Sequence, residues 1–140
     1  MPVNGLFGGV DASASALGAE ALRMNVASEN LAHAGDTRHL ANGLPYARQR
    51  VSFSALLDHQ GKVNGQVDAR IVAMPQYTQR HEPGHPDADP QTGIVTEPDI
   101  NPILELTDLL VASKAYEANA NAAKGLFHMH EAALRLGDAS

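Results

Sequence analysis

The sequence predicts a mainly α fold with a small β insert, in which long N- and C-terminal helices pair as an α-helical coiled coil around a small β-rich middle domain. Three observations predict it. Apolar residues recur every seven positions near both ends of the chain. The residues between, from Gly35 to Ile100, hold six of the eight prolines and six of the twelve glycines, a density that excludes long helices. Within that middle, apolar and polar residues alternate with a period of two. The chain therefore divides into residues 1–34, the first helix of a helical core, residues 35–100, a β-rich segment, and residues 101–140, the second helix of the core.

The first helix is expected from about Val10 to Ala34, with room to begin near Asn4. Val10, Leu17, Met24 and Leu31 are seven apart, and beside them run Ala14, Ala21 and Ser28. One side of this seam is thus built from small residues, which let two backbones come close. Glu20 and Arg23 can pair at i, i+3 on an exposed flank, and Gly35 stands where the helix should stop.

Four strands follow. Pro45 to Phe53 alternates and gathers β-formers toward its end; Val63 to Met74 alternates through Val67, Ala69, Ile71 and Ala73, after a turn marked by Gly61 and Gly65; Gln76 to Glu82 returns after Pro75; Gly93 to Thr96 is short.

The last helix is expected from Asn101, a good cap, with Pro102 suited to its first turn, through Leu136 to a stop at Gly137. Leu106, Ser113, Ala120, Phe127 and Leu134 form one line seven apart, and Leu109, Tyr116, Ala123 and His130 form its companion. Glu105 and Asp108 in the opening turns and Arg135 in the last match the helix macrodipole. At 1.5 Å per residue the helix is about 50 Å long, some three turns longer than its partner. Part of the seam should therefore face other molecules. The residues expected to form this packing seam are Val10, Leu17, Met24, Leu31, Leu106, Leu109, Tyr116, Phe127, His130 and Leu134.

Composition limits the core. Hydrophobic residues make up 44% of the chain but aromatic ones only 4%, and much of the rest is alanine, so stability has to come from helices pressed together rather than from one deep core. A net charge of −6 disfavours nucleic acid and anionic membranes as partners. No cysteine is present, which removes disulfides, thiolate nucleophiles and cysteine zinc sites. The run Met1 to Gly9 lacks a basic stretch followed by an unbroken apolar one, so neither a cleaved leader nor an anchor is expected.

The sequence offers little for catalysis. It contains no GxGxxG after a strand, no P-loop and no GxSxG elbow. His81 and His85 stand four apart with Glu82 beside them, the HExxH spacing, but they flank the Pro83-Gly84 pair and so lack the helix on which a zinc hydrolase carries that motif, and no histidine is accompanied by a nucleophile, a paired acid or an oxyanion motif. His130 on the seam reads as a polar interruption that sets register or as a contact to another chain. His85, Asp87 and Asp89, in the run Pro83 to Pro90, have the donor types of a metal site, whereas the same run read as a proline-stiffened turn has its aspartates bonding backbone amides; the turn is preferred. No catalytic residue, cofactor or metal is assigned.

Five blocks of sequence carry a resemblance. Leu22 to Ala34, containing Ala27-Ser28-Glu29-Asn30-Leu31-Ala32-His33, resembles the Ala-Asn-Asn-Leu-Ala-Asn-like run that closes the first helix of bacterial flagellar axial proteins, with Glu29 and His33 at positions where asparagine is usual. Gly43-Leu44-Pro45-Tyr46 with Arg48 to Phe53, then Glu82 to Asp89, then Pro98 to Asn101, then Ser113 to Asn119, resemble in order and spacing the FlgC family of rod proteins. The resemblance implies a structural subunit of the proximal rod of the flagellar basal body. It would polymerise through its terminal helices into a torque-transmitting shaft in the periplasmic space, and would be exported by the flagellar type III apparatus without a cleaved signal peptide. Implied partners are FlgB, FlgF, FlgG, FliE and further copies of the chain, with no nucleic acid and no small-molecule substrate. The alternatives are another rod or hook subunit, or a small metal-binding protein using His85, Asp87 and Asp89.

Overall fold

Two helices and two separate hairpins make up the fold in a computed structural model, which describes residues 3–138. In chain order these are α1 (Val3–Ala32), β1 (Arg48–Leu57), β2 (Val63–Met74), β3 (Tyr77–His81), β4 (Ile94–Pro98) and α2 (Pro102–Asp138). The mainly α class with a β insert is as expected. The first and last two positions of the chain lie outside the described residues, and with them part of the Met1 to Gly9 run.

The helix α1 ends where the sequence stops it, in a turn closed by Gly35 at φ +78°, but it begins at Val3, earlier than its heptad line. α2 is therefore longer by about two turns, 37 residues against 30, and not by three. Asn101 caps α2 as expected: its Oδ1 accepts the amides of Ile103 at 3.0 Å and Leu104 at 3.4 Å. At the other end the helix runs two residues past Leu136, through Gly137 to Asp138, since a single glycine costs a helix only about 1 kcal/mol.

The helices pair antiparallel. Gly9 lies against Leu126, Arg23 bonds Asp108 and Asn30 bonds Glu105, so partner numbers fall as α1 advances. Six residues of α1 precede Gly9 and twelve of α2 follow Leu126, so α2 overhangs by about six residues, some 9 Å.

β1 and β2 pair antiparallel from Arg48↔Met74 to Leu57↔Val63. Relative to the expected strand, β1 starts three residues later, because Pro45 has no amide to offer a ladder, and ends four later, continuing through Leu56 and Leu57. β2 has the expected bounds, but Gly65 is inside it rather than in the preceding turn. There, at φ +85°, it forms the irregularity between Ala55 and Leu57, and the Cβ of Ala12 in α1 comes within 3.5 Å of where a side chain would begin. Register puts Val51, Phe53, Ala55, Val67, Ala69 and Ile71 on one face, turned to α1. Arg50, Ser52, Ser54, Asp68, Arg70 and Val72 are on the other.

β3 and β4 form their own two-stranded sheet, Tyr77↔Pro98 to His81↔Ile94, with Val95 and Pro98 buried. β3 is one residue shorter than expected at each end, and β4 starts one residue later and ends two later. Gly93 at φ +66° belongs to the turn, and a side chain there would meet Pro83 Cγ at 2.9 Å. The loop after α1 is tied to this sheet by the Thr37 hydroxyl, which donates to Asp87 Oδ2 at 2.6 Å.

The core is thin, as the composition requires: Ala19, Val26 and Ala27 of α1, Val51, Val95, and Ala112 of α2. No helix among the described residues is long and apolar enough to cross a membrane.

Candidate assembly surface

Small and polar side chains fill most of the contact between the helices, with Leu126 packed against Gly9. On α1 the most buried line is Ala12, Ala19 and Val26, seven apart, with Ala27 and Asn30 beside it. On α2 it is Glu105, Ala112, Asn119 and Leu126. Alanine and glycine let the two backbones approach, and Arg23, Asp108, Asn30 and Glu105 fix their register. Glu20 and Arg23 do pair, at 3.7 Å, but on the flank facing α2, where Arg23 also donates to Asp108, instead of out in solvent.

The ten residues of the expected seam therefore lie beside the buried lines or outside them. Val10, Leu17 and Met24 are half-buried on the edge of α1, and Leu31 is exposed. Leu109 and His130 are half-buried on the α2 face that meets α1, where Tyr116, more open, lies beside Ala21, Met24 and Asn25. Leu106, Phe127 and Leu134 are open, the last two 59% and 57% exposed, with Leu134 in the overhanging end of α2.

A second apolar stripe on α2 escaped the heptad reading. Leu104, Val111 and Ala118 are seven apart, and Ala122, Met129 and Leu136 continue the line four residues on; all are exposed. The signal was there to be read, since 104, 111 and 118 keep the same spacing as the chosen lines. One helix thus carries apolar residues on two sides, and its own chain covers only one.

Between α2 and the β1–β2 hairpin runs a groove of about 520 Å³, floored by Arg23, Val26 and Ala27 and walled by Val51 and Phe53 on one side and Leu104 and Asp108 on the other. α1 is too narrow to cover the whole apolar face of the hairpin, so Phe53, Ile71, Leu57 and Val63 remain exposed.

At the head of the groove is a buried polar knot. Glu105, 2% exposed, accepts from Arg48 Nε at 2.7 Å through Oε1 and from Asn30 Nδ2 at 3.0 Å through Oε2. Tyr46 donates its hydroxyl to Asn30 at 3.0 Å and stacks on His33, ring centroids 4.2 Å apart. Burial first, then the negative charges of Glu29 and Glu105, push the Tyr46 phenol above its ordinary value. The neutral phenol's contribution to stability is complete below about pH 10 and is lost as pH rises through the raised, folded value. The phenolate absorbance that Tyr46→Phe removes is expected to rise above pH ~10; a difference between the two titrations centred at or below about pH 10 would refute this.

Elsewhere charge is local. The Arg38 guanidinium, then His33, hold the Asp36 carboxyl well below the usual carboxylate range. Asp89 accepts the amides of Thr92 at 2.9 Å and Gln91 at 2.8 Å, which lower its pKa. His85 Nδ1 accepts the Asp87 amide at 3.1 Å. His85 and Asp89 are thus engaged in turn bonds and the Asp87 carboxylate in its bond from Thr37, and among the described residues no group of three or more His, Cys, Asp or Glu side chains is gathered for a metal ion.

No family model matches the chain. Its relatives are informative. It is 33% identical over 147 aligned positions to the flagellar basal-body rod protein FlgC of Bacillus subtilis, covering 94% of this chain and 97% of that protein. It is 33% identical over 129 positions to FlgC of Salmonella typhimurium, with 91% and 94% covered. FlgC of Agrobacterium fabrum is 33% identical over 106 positions, with 75% and 76% covered.

Proposed function

The chain belongs to the FlgC family of flagellar basal-body rod proteins and is a structural subunit of that rod, and from this premise we propose that it polymerises through its terminal helices into the torque-transmitting shaft of the proximal rod. The observation that carries the proposal is the second, uncovered stripe of α2, with Phe127 exposed on its flank and Leu134 at the overhang. Each large apolar side chain buried on contact contributes about 1.5 to 3 kcal/mol, so a few residues per neighbour suffice to drive assembly. A stripe on one face that meets a groove elsewhere on the next molecule makes a contact that does not close on itself, and such contacts propagate as a helix.

The partners in this reading are FlgB, FlgF, FlgG, FliE and further copies of the chain, met after passage through the flagellar export apparatus into the periplasmic space. The seam from Val10 to Leu31 and from Leu106 to Leu134 serves neighbours where the chain leaves it open. Stiffness follows from the same geometry. Helices of 30 and 37 residues held by small interlocking side chains and by ion pairs resist bending and twisting better than loops do.

Val111→Asp and Phe127→Asp test the proposal. Both residues are exposed in the single chain, so the variants should keep the parent's helical circular dichroism, with stability within about 0.5 kcal/mol. They should be absent from isolated basal bodies and should not restore swimming to cells lacking the parent protein. Normal incorporation and swimming would overturn the assignment. Leu109→Asp is a poorer probe, because Leu109 is half-buried on the face that meets α1 and its loss would disturb the fold as well.

A further inference from the structure

The only place among the described residues where α1, the β1–β2 hairpin and α2 are bonded together is polar. Asn30 is 1% exposed, and its carboxamide makes the four hydrogen bonds open to it. Nδ2 donates to the Gln49 carbonyl at 2.8 Å and to Glu105 at 3.0 Å. Oδ1 accepts the Gln49 amide at 2.9 Å and the Tyr46 hydroxyl at 3.0 Å. Two of the four go to the backbone of one residue on the free edge of β1. The side-chain amide takes the position that the peptide of a neighbouring strand would take, and satisfies an edge that burial would otherwise leave orphaned. One residue earlier, Arg48 ties the same strand to the other oxygen of Glu105.

Farther out the hairpin still lies along α1, but the polar ties are fewer. The Val67 amide donates to the Ser15 hydroxyl at 3.2 Å, and Ala12 touches Gly65. A ten-residue strand is about 33 Å long, and its polar ties to the helices are gathered at its base.

We infer that this knot is a latch: Asn30, through Gln49 and Glu105, locks the hairpin to the helix pair as one rigid body, and without it the hairpin swings about its base. Asparagine is required because aspartate has no donor and would set a second carboxylate against Glu105. The latch is internal to one chain and stands whether or not the assembly reading does.

Because the chain has no cysteine, two labels can be placed cleanly. Spin labels at Ser52→Cys on the outer face of the hairpin and Lys114→Cys on exposed α2 report the distance between the two bodies. The labelled parent is expected to give one narrow distance distribution. Asn30→Asp should at least double its width and speed exchange of the Gln49 amide at least tenfold, with helical circular dichroism retained. A width and an exchange rate equal to the parent's would overturn the latch. Should Asn30→Asp leave too little folded chain, Asn30→Ser is read instead: its shorter side chain keeps a hydroxyl but cannot span Gln49 and Glu105 at once. Measurable broadening then supports the inference, and an unchanged distribution overturns it. Incorporation into basal bodies, scored separately with the outer-stripe variants, reports on assembly and not on the latch.

Discussion

Glu105→Ala is expected to lower the unfolding free energy by about 3 kcal/mol, at the lower end of what removing one partner of a buried ion pair costs. The carboxylate is buried and holds two donors from different elements, the Arg48 guanidinium and the Asn30 amide. Truncation leaves both facing a cavity. Arg48 is about one-third exposed and can turn part of its charge to water, which keeps the loss from reaching the upper end. Asn30 has no such exit, and a buried donor left unpaired costs about 1 to 3 kcal/mol by itself. Glu105→Gln separates the two contributions, since an amide oxygen can still accept from Asn30 while the charge facing Arg48 is gone; its loss should be about half as large. Urea unfolding checks both. An alanine variant within about 0.5 kcal/mol of the parent would mean that water replaces the lost oxygens and that the knot contributes little.

How much of this was legible depends on what kind of signal each element leaves. The helices are readable because their ends carry local chemistry: Asn101 and Pro102 start α2 with the bonds their residue types anticipate, and Gly35 closes the turn after α1. β2 is readable because alternation runs through its length. β1 is blurred at both ends. Pro45 and Tyr46 look like strand, but Pro45 is a buried loop residue and Tyr46 belongs to the knot, while Leu56 and Leu57 lie past the expected end at Phe53 yet remain in the strand.

The helix contact was less legible. A heptad reading ranks lines by hydrophobicity, so it chose leucine and phenylalanine, whereas close approach of two helices selects the smallest side chains. Ala112, Ala19 and Gly9 are where the backbones meet, and Leu106 and Phe127 remain outside. The polar knot left a fainter mark still. Asn30 stands in the run Glu29 to His33 whose resemblance to axial proteins was noted, yet nothing local distinguishes it from its neighbours. Only the fold shows that Glu29 is exposed and His33 stacks on Tyr46, while Asn30 alone reaches strand and helix at once. Glu105 was read as a macrodipole residue in a first turn, a role its position allows, and its burial comes from elements up to 75 residues away.

Ala112→Leu is expected to be the most damaging change of size in the chain. Ala112 is 0% exposed, on the stripe of α2 that meets α1. One turn before it Asp108 holds Arg23, and one turn after it Tyr116 lies beside Ala21, Met24 and Asn25. Three added carbons at a contact built from alanines force the helices apart, and overpacking of this kind costs about 1 to 3 kcal/mol where neighbours can shift. Here they can shift only by lengthening the bonds that set the register, Arg23 to Asp108 and Asn30 to Glu105, so the loss should be at or above about 3 kcal/mol. In a domain of this size that is a fall of roughly 10 °C in Tm. Ala122→Leu, the same substitution on the open stripe of the same helix, should leave Tm unchanged in the isolated chain, since no described side chain buries it. The contrast tests which stripe is internal. Equal losses at the two positions, or a larger one at Ala122, would mean that the helices of the free subunit meet along the outer line and that the alanine contact is not what holds them together.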